Sequence, residues 1–351
     1  MSVETIHETL GIYKVSKNVS VDELKNLETN PNISHIQCSH PLNSKDIDNL
    51  EEYIFSKRPD VTFRIYENIG ERYLWDLTFL RQLPSLKSFS INCVNDAKNL
   101  DTLHIVERLE HLSIGISNLE SFDFLKEVTL NLTSLSLDST KSQKPKIDFI
   151  SRFKNLEYLY LEKQQKGIES INHLKKLQEI VLRSISTENL DYLIGLNDLW
   201  SVDIKLGGIK NFDALKKLPT IKYLELWLIR NLSDISFISE LTSLQYLSLQ
   251  SLKNVTKLPS LEKLKNLRRL CLETMRGLTD LSSLKNASKL EEFIYIAADN
   301  QEPENLLPVL ENPTIQNFWV GFGSDKKNLL FDDLLKHYGK QKGYSHEFQY
   351  Q

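Results

Sequence analysis

Few residues in this chain have the types and spacing that chemistry requires. His35, Cys38 and His40 form an H-x-x-C-x-H run, the nearest approach to a metal-ligand set in the sequence. Zinc needs ligands that converge on a tetrahedral centre. On an extended strand, alternate side chains face opposite ways, so His35 and Cys38 point apart and Cys38 takes the inward position. A packed cysteine flanked by two surface histidines is therefore expected, and no metal site. Cys271 falls at an outward strand position, but a thiol nucleophile needs a neighbouring base, and the adjacent strand segments carry no histidine. No P-loop, G-x-G-x-x-G, G-x-S-x-G or H-E-x-x-H sequence occurs, and VGFGSDKK (320–327) is too short a glycine-containing stretch to cradle phosphate. No catalytic, metal or cofactor residue is expected.

Bulk composition narrows the partners. A net charge of −4 supplies no general attraction to nucleic acid or to an anionic membrane surface. The basic residues between Lys257 and Arg269 are interleaved with leucines and a glutamate, the pattern of a solvated flank. Hydrophobic residues at 40% and charged residues at 26% are ordinary for a folded soluble protein. No apolar stretch is long enough to span a bilayer, and MSVETIHETLGIYKV lacks the basic and apolar regions of a secretory signal. Cys38, Cys93 and Cys271 are odd in number and widely separated, which argues against a disulfide framework and for a reducing, cytoplasmic setting.

The elements that position these residues come from a repeat. The template apolar-x-x-apolar-x-apolar starts at Leu86, Leu109, Leu132, Leu156, Leu177, Leu199, Ile221, Leu244, Leu267, Leu290 and Ile315, at intervals of 21 to 25 residues. Weaker versions begin at Leu10, Ile33 and Asp60, and SHEFQY near the C-terminus fits loosely as a last strand. Each template reads as a short strand whose leucines share one face. A second apolar cluster follows, as in NLSDISFISEL (231–241) and GLTDLSSLKNASKL (277–290). Such short intervals leave little room for a full helix, so 3₁₀ or extended segments are expected on the convex side. Ser233, Asp234, Thr279 and Asp280 are suited to start those turns. Before the regular array, Ser20 and Glu23 form a capping box ahead of Leu24 and Leu27, and Ile47, Leu50 and Ile54 line one face of a helix predicted over 44–59. DKKNLLFDDLLKHYGKQ predicts an amphipathic helix ending near Gly339, and helical ends of this kind cap exposed cores.

These features resemble the leucine-rich repeat superfamily, and most of all the short repeats of internalin-like bacterial proteins. The chain departs from that pattern where an asparagine ladder is usual. Ile185, Gly207, Ile229, Leu252 and Met275 stand there instead, implying an apolar layer. The resemblance implies an α/β solenoid, a horseshoe or arc with a parallel concave sheet. It extends over one domain, 1–351, with irregular N-terminal repeats (1–82), regular repeats (83–323) and a C-terminal cap (324–351).

Inward leucines define the fold, so outward residues must define any function. The register places Tyr158, Tyr160 and Glu162 on one outward row, then Arg183, then Asp203 and Lys205. Tyr223, Glu225 and Trp227 follow, then Tyr246 and Gln250, Arg269 and Glu273, and finally Trp319. Lateral stacking at about 4.8 Å makes Tyr223 and Tyr246 neighbours. Exposed aromatics mixed with arginine are the composition of protein-binding hot spots. The expectation is a non-enzymatic, monomeric protein that docks another protein on its concave sheet. A scaffold, an inhibitor or immunity-type protein blocking a partner enzyme, and a targeting subunit of an enzyme or effector complex all fit that description.

Overall fold

A computed structural model of the chain describes residues 2–68, 70, 73–95, 97–142 and 144–351. The chain packs into two compact units, Met1–Leu174 and Lys175–Gln351. In the first, strands run β1 (Val3–His7), β2 (Ile12–Val15), β3 (His35–Cys38), β4 (Thr62–Tyr66), β5 (Ser88–Cys93), β6 (His111–Ile116), β7 (Ser134–Leu137) and β8 (Tyr158–Glu162). β1 pairs antiparallel with β2, a hairpin the repeat pattern did not announce, and every later pairing in this unit is parallel. The second unit holds β9 (Glu179–Arg183), β10 (Ser201–Lys205), β11 (Tyr223–Trp227), β12 (Tyr246–Gln250), β13 (Arg269–Glu273), β14 (Glu292–Ile296), β15 (Asn317–Val320) and β16 (Gln341–Lys342). All of its pairings are parallel and run in sequence order. This is an α/β solenoid.

The leucine-bearing strands bury their inward residues. In β12, Leu247 and Leu249 are inaccessible while Tyr246, Ser248 and Gln250 lie on the outward face. The chain then returns through short 3₁₀ turns, as at Asp213–Lys217, Ser236–Glu240 and Ser282–Asn286. Aspartates start two of them: Asp234 Oδ1 accepts from the Ser236 N–H and Asp280 Oδ1 from the Ser282 N–H. The layer that lacks asparagine is apolar, with Ile185, Ile229, Leu252 and Met275 all buried. Gly207 completes it because nothing larger fits: a Cβ there would sit 2.3 Å from the Ile185 carbonyl oxygen.

A second regularity lies in the backbone. Ser184, Leu206, Leu228, Ser251 and Thr274, each the first residue after a strand, all adopt left-handed φ values between 51° and 57°. Each of their N–H groups bonds the last carbonyl of the next strand, at 2.7–2.9 Å. A left-handed residue with a side chain costs about 1–2 kcal/mol, and the extra rung of the ladder offsets it.

The irregular ends differ in detail from expectation. Ser20 caps the helix Val21–Glu28 by accepting from the Glu23 N–H, but the Glu23 carboxylate turns to Ser2 and does not close the box. The helix predicted over 44–59 is divided into an α segment, Ser44–Leu50, and a π segment, Glu51–Phe55, with Ile47, Leu50 and Ile54 inward throughout. At the other end, the helix Asp325–His337 packs Phe331 against Phe318 and Phe322, and Gly339 ends it in a left-handed turn. SHEFQY (345–350), expected as a last strand, is not one. The last strand is Gln341–Lys342, and the residues after it cross the outward face of the second unit.

Leu247→Ala is expected to cost about 2–5 kcal/mol through the cavity it leaves, whereas Ser248→Ala should change stability by less than about 0.5 kcal/mol. Chemical denaturation of the two variants checks this, and equal losses would show that the strand register is wrong.

Candidate protein-binding face

In the second unit the outward rows form a continuous network. Tyr223 and Tyr246 are register partners, and their rings meet edge to face at 5.2 Å. The Tyr223 hydroxyl donates to Glu225 Oε2 at 2.6 Å. Lys205 Nζ lies 2.7 Å from Asp203 and 3.5 Å from Glu225. Trp227 carries two cations near its ring, Arg183 at 5.7 Å and Lys205 at 5.9 Å. Gln250 and Glu273 occupy the equivalent register positions on the next two strands.

Burial governs the electrostatics here. Asp203 is only 9% exposed and its Oδ1 has no hydrogen-bond partner among the described residues. Loss of water pushes its carboxyl up to about 6, with Glu225 adding to the shift and Lys205 and Arg183 opposing it. Burial also raises the Tyr223 phenol far above its ordinary value and takes Tyr246 up to about 12. The Cys271 thiol rises to about 11, from burial first and then from Glu273 and Glu225. A thiol held protonated in this way is a poor nucleophile.

Residues 343–351 cover part of this face. Arg269, expected on an open row, is only 3% exposed. Its Nε bonds Glu292 at 2.5 Å and its Nη2 donates to the Ser345 carbonyl at 2.7 Å. Ser345 N–H returns a bond to Glu292 Oε1 at 3.0 Å. The guanidinium sits 5.0 Å from the ring of Phe348, 5.2 Å from that of Tyr246 and 5.8 Å from that of Tyr344. The segment runs against the strand order, above the N-terminal ends of the strands. Tyr344 meets Trp319 at 5.9 Å, Phe348 meets Tyr246 at 5.3 Å, and Tyr350 meets Trp200 at 4.9 Å. Arg268 bonds the Gln349 carbonyl and lies 4.7 Å from the Phe348 ring. Gln245 exchanges two bonds with the backbone of Gln351, at 2.7 and 2.9 Å. Trp319 keeps 45% of its surface exposed.

Trp200, Gln245, Arg268, Glu292 and the covering segment were absent from the sequence-derived set. The signal was present in the alternation of Tyr344, His346, Phe348 and Tyr350, which is equally that of an edge strand.

The first unit has a different outward surface. Its strands carry Thr62, Ser88, Ser90, Ser113, Ser134 and Ser136 around a concavity of about 390 Å³. Arg64 stands within it, bonded to Asn92 Oδ1 at 2.9 Å and Gln37 Oε1 at 3.2 Å. Tyr158, Tyr160 and Glu162 lie on β8, where the Tyr160 hydroxyl donates to Glu162 at 3.3 Å. Asp138 is pushed up to about 6 by burial and then by the Glu162 carboxylate, with Arg64 opposing. Cys38 is buried at the end of β3, while His40 bonds Ser39 and packs on Tyr73. Among the described residues, no three metal-ligating side chains gather.

An internalin from Listeria monocytogenes str. 4b F2365 superposes with a TM-score of 0.58 over 89% of this chain and 87% of its own, at 17% identity. The fold is that of the leucine-rich repeat proteins. The mouse RP105/MD-1 complex structure matches at a TM-score of 0.55 and 15% identity, over 88% of this chain and 63% of that one. No family model matches the sequence, and no curated protein matches it.

Asp203 binds its proton more tightly folded than unfolded, where its ordinary value is 3.8. Folding therefore takes up a proton between about pH 4 and 6, and the stability this group contributes falls as the pH rises through that window. Carbon-detected NMR is expected to find a carboxyl titrating near pH 6 that is missing from Asp203→Asn, whose stability should decline less from pH 4 to 6.

Proposed function

We propose that this protein is a non-enzymatic binding module that docks a partner protein on the outward strand face of its second unit. The observation that carries this reading is the Tyr223–Tyr246 ring pair together with Trp227 at the other end of the same strand, where Arg183 and Lys205 lie against its ring. Tyrosine, tryptophan and arginine dominate the energetics of protein interfaces: the two aromatics bury much area with few rotatable bonds, and arginine adds stacking and several hydrogen-bond donors. A sheet already held in shape loses little conformational entropy on docking. The leucine-rich repeat neighbour in the RP105/MD-1 structure is itself part of a complex, which is consistent with a binding role. The raised Cys271 thiol favours binding over catalysis at this face. Three free cysteines fit a reducing, cytoplasmic setting.

Replacing Tyr223, Trp227 and Tyr246 together with alanine is expected to abolish capture of the partner from native lysate while the melting temperature moves by only a few degrees. Undiminished capture by a folded triple variant would remove the aromatic row from the binding site.

A further inference from the structure

The covering segment has the attributes of a ligand. It follows the strand Gln341–Lys342 with no helix or strand of its own, and carries Tyr344, His346, Phe348 and Tyr350 at every second position. Its contacts are those of peptide recognition. Arg269 reads a backbone carbonyl, Gln245 reads an N–H and a carbonyl of one residue, and aromatic side chains seat between Trp319, Tyr246 and Trp200. The receiving side is built for the purpose. Arg269 is fixed by Glu292, and the same carboxylate accepts from Ser345, so one ion pair clamps the segment through both its N–H and its C=O. On the receiving side the guanidinium lies against Tyr246, and the segment lays Phe348 and Tyr344 on it, a stacking place that a partner's flat side chains would take over.

We infer that residues 343–351 are an intramolecular ligand, occupying the Trp200–Tyr246–Arg269–Trp319 row in the manner of a partner's extended segment with alternating aromatic side chains, and that such a segment binds only when this one leaves. The inference rests on the outward face of the second unit being the docking face. It adds the chemistry of the partner and a gate. The segment follows the strand Gln341–Lys342 directly, which holds it at an effective concentration of at least about millimolar, so a partner must outcompete it. Removal of the ring contacts weakens that competition without touching the receiving residues.

The test uses the full chain, its variant with Phe348→Ala and Tyr350→Ala, and a fluorescein-labelled synthetic peptide with the sequence of residues 343–351. The variant is expected to bind the peptide saturably in fluorescence anisotropy, and the unmodified chain at least about ten-fold more weakly. Arg269→Ala introduced into the variant should abolish binding. Hydrogen exchange of the unmodified chain provides a readout independent of any substitution: the Ser345 and Gln351 amides should be protected relative to the same amides in the free peptide. A peptide that binds neither protein, or both alike, overturns the inference, as do Ser345 and Gln351 amides that exchange at the free-peptide rate. Sedimentation at micromolar concentration addresses exchange of the segment between copies; a dimer lost in the double variant would overturn the intramolecular assignment. These measurements need no partner, so their failure leaves the docking face itself untouched, and failed capture by the triple alanine variant does not depend on them.

Discussion

A single rung of this molecule cannot bury its own leucines. Leu247 and Leu249 on one five-residue strand have nothing to pack against except the equivalent residues of the strands on either side. Every other property of the chain follows from that dependence. Strands must be parallel and in register, because a slip of one residue would turn the leucines to solvent. Returns must be short, which selects 3₁₀ turns and aspartate-started bends. Beside β15, the helix Asp325–His337 adds Phe331 to Phe318 and continues the core.

The same dependence frees the outward face, and the two units use that freedom differently. The first unit sets serines and threonine beside Arg64 around a concavity that Ile12, Phe89 and Leu112 also line. The second sets aromatics and charges into mutual contact. Arg269 is the extreme case: its guanidinium is taken out of water, which is costly for an isolated ion. Glu292, the Ser345 carbonyl and three aromatic rings compensate it. Asp203 shows the opposite balance, since a single lysine on one oxygen does not restore what burial removes.

Much of this was legible in the residues. Leucine spacing marks each strand from β5 to β15, and the apolar residues at Ile185, Ile229, Leu252 and Met275 mark the layer that stands in for asparagine. Tyr223 and Tyr246 as neighbours follow from register alone. The hairpin partner Val3–His7 was not legible, because its exposed residues carry no leucine stagger. Nor was the path of residues 343–351: alternating side chains describe a chain lying flat across a sheet as well as one paired along its edge. Only the three-dimensional neighbours of Arg269 decide between them. The burial of Asp203 escaped for a related reason, since an outward position says nothing about what lies beside it.

The left-handed corners after β9 to β13 have a wider meaning. Serine, leucine and threonine serve there alike, because the corner is held by N–H to carbonyl bonds and not by side chains. In repeat proteins with an asparagine ladder, side-chain amides line the corresponding turn. Here the corner is written in a backbone conformation, so the residue at this position differs from rung to rung while the turn stays the same.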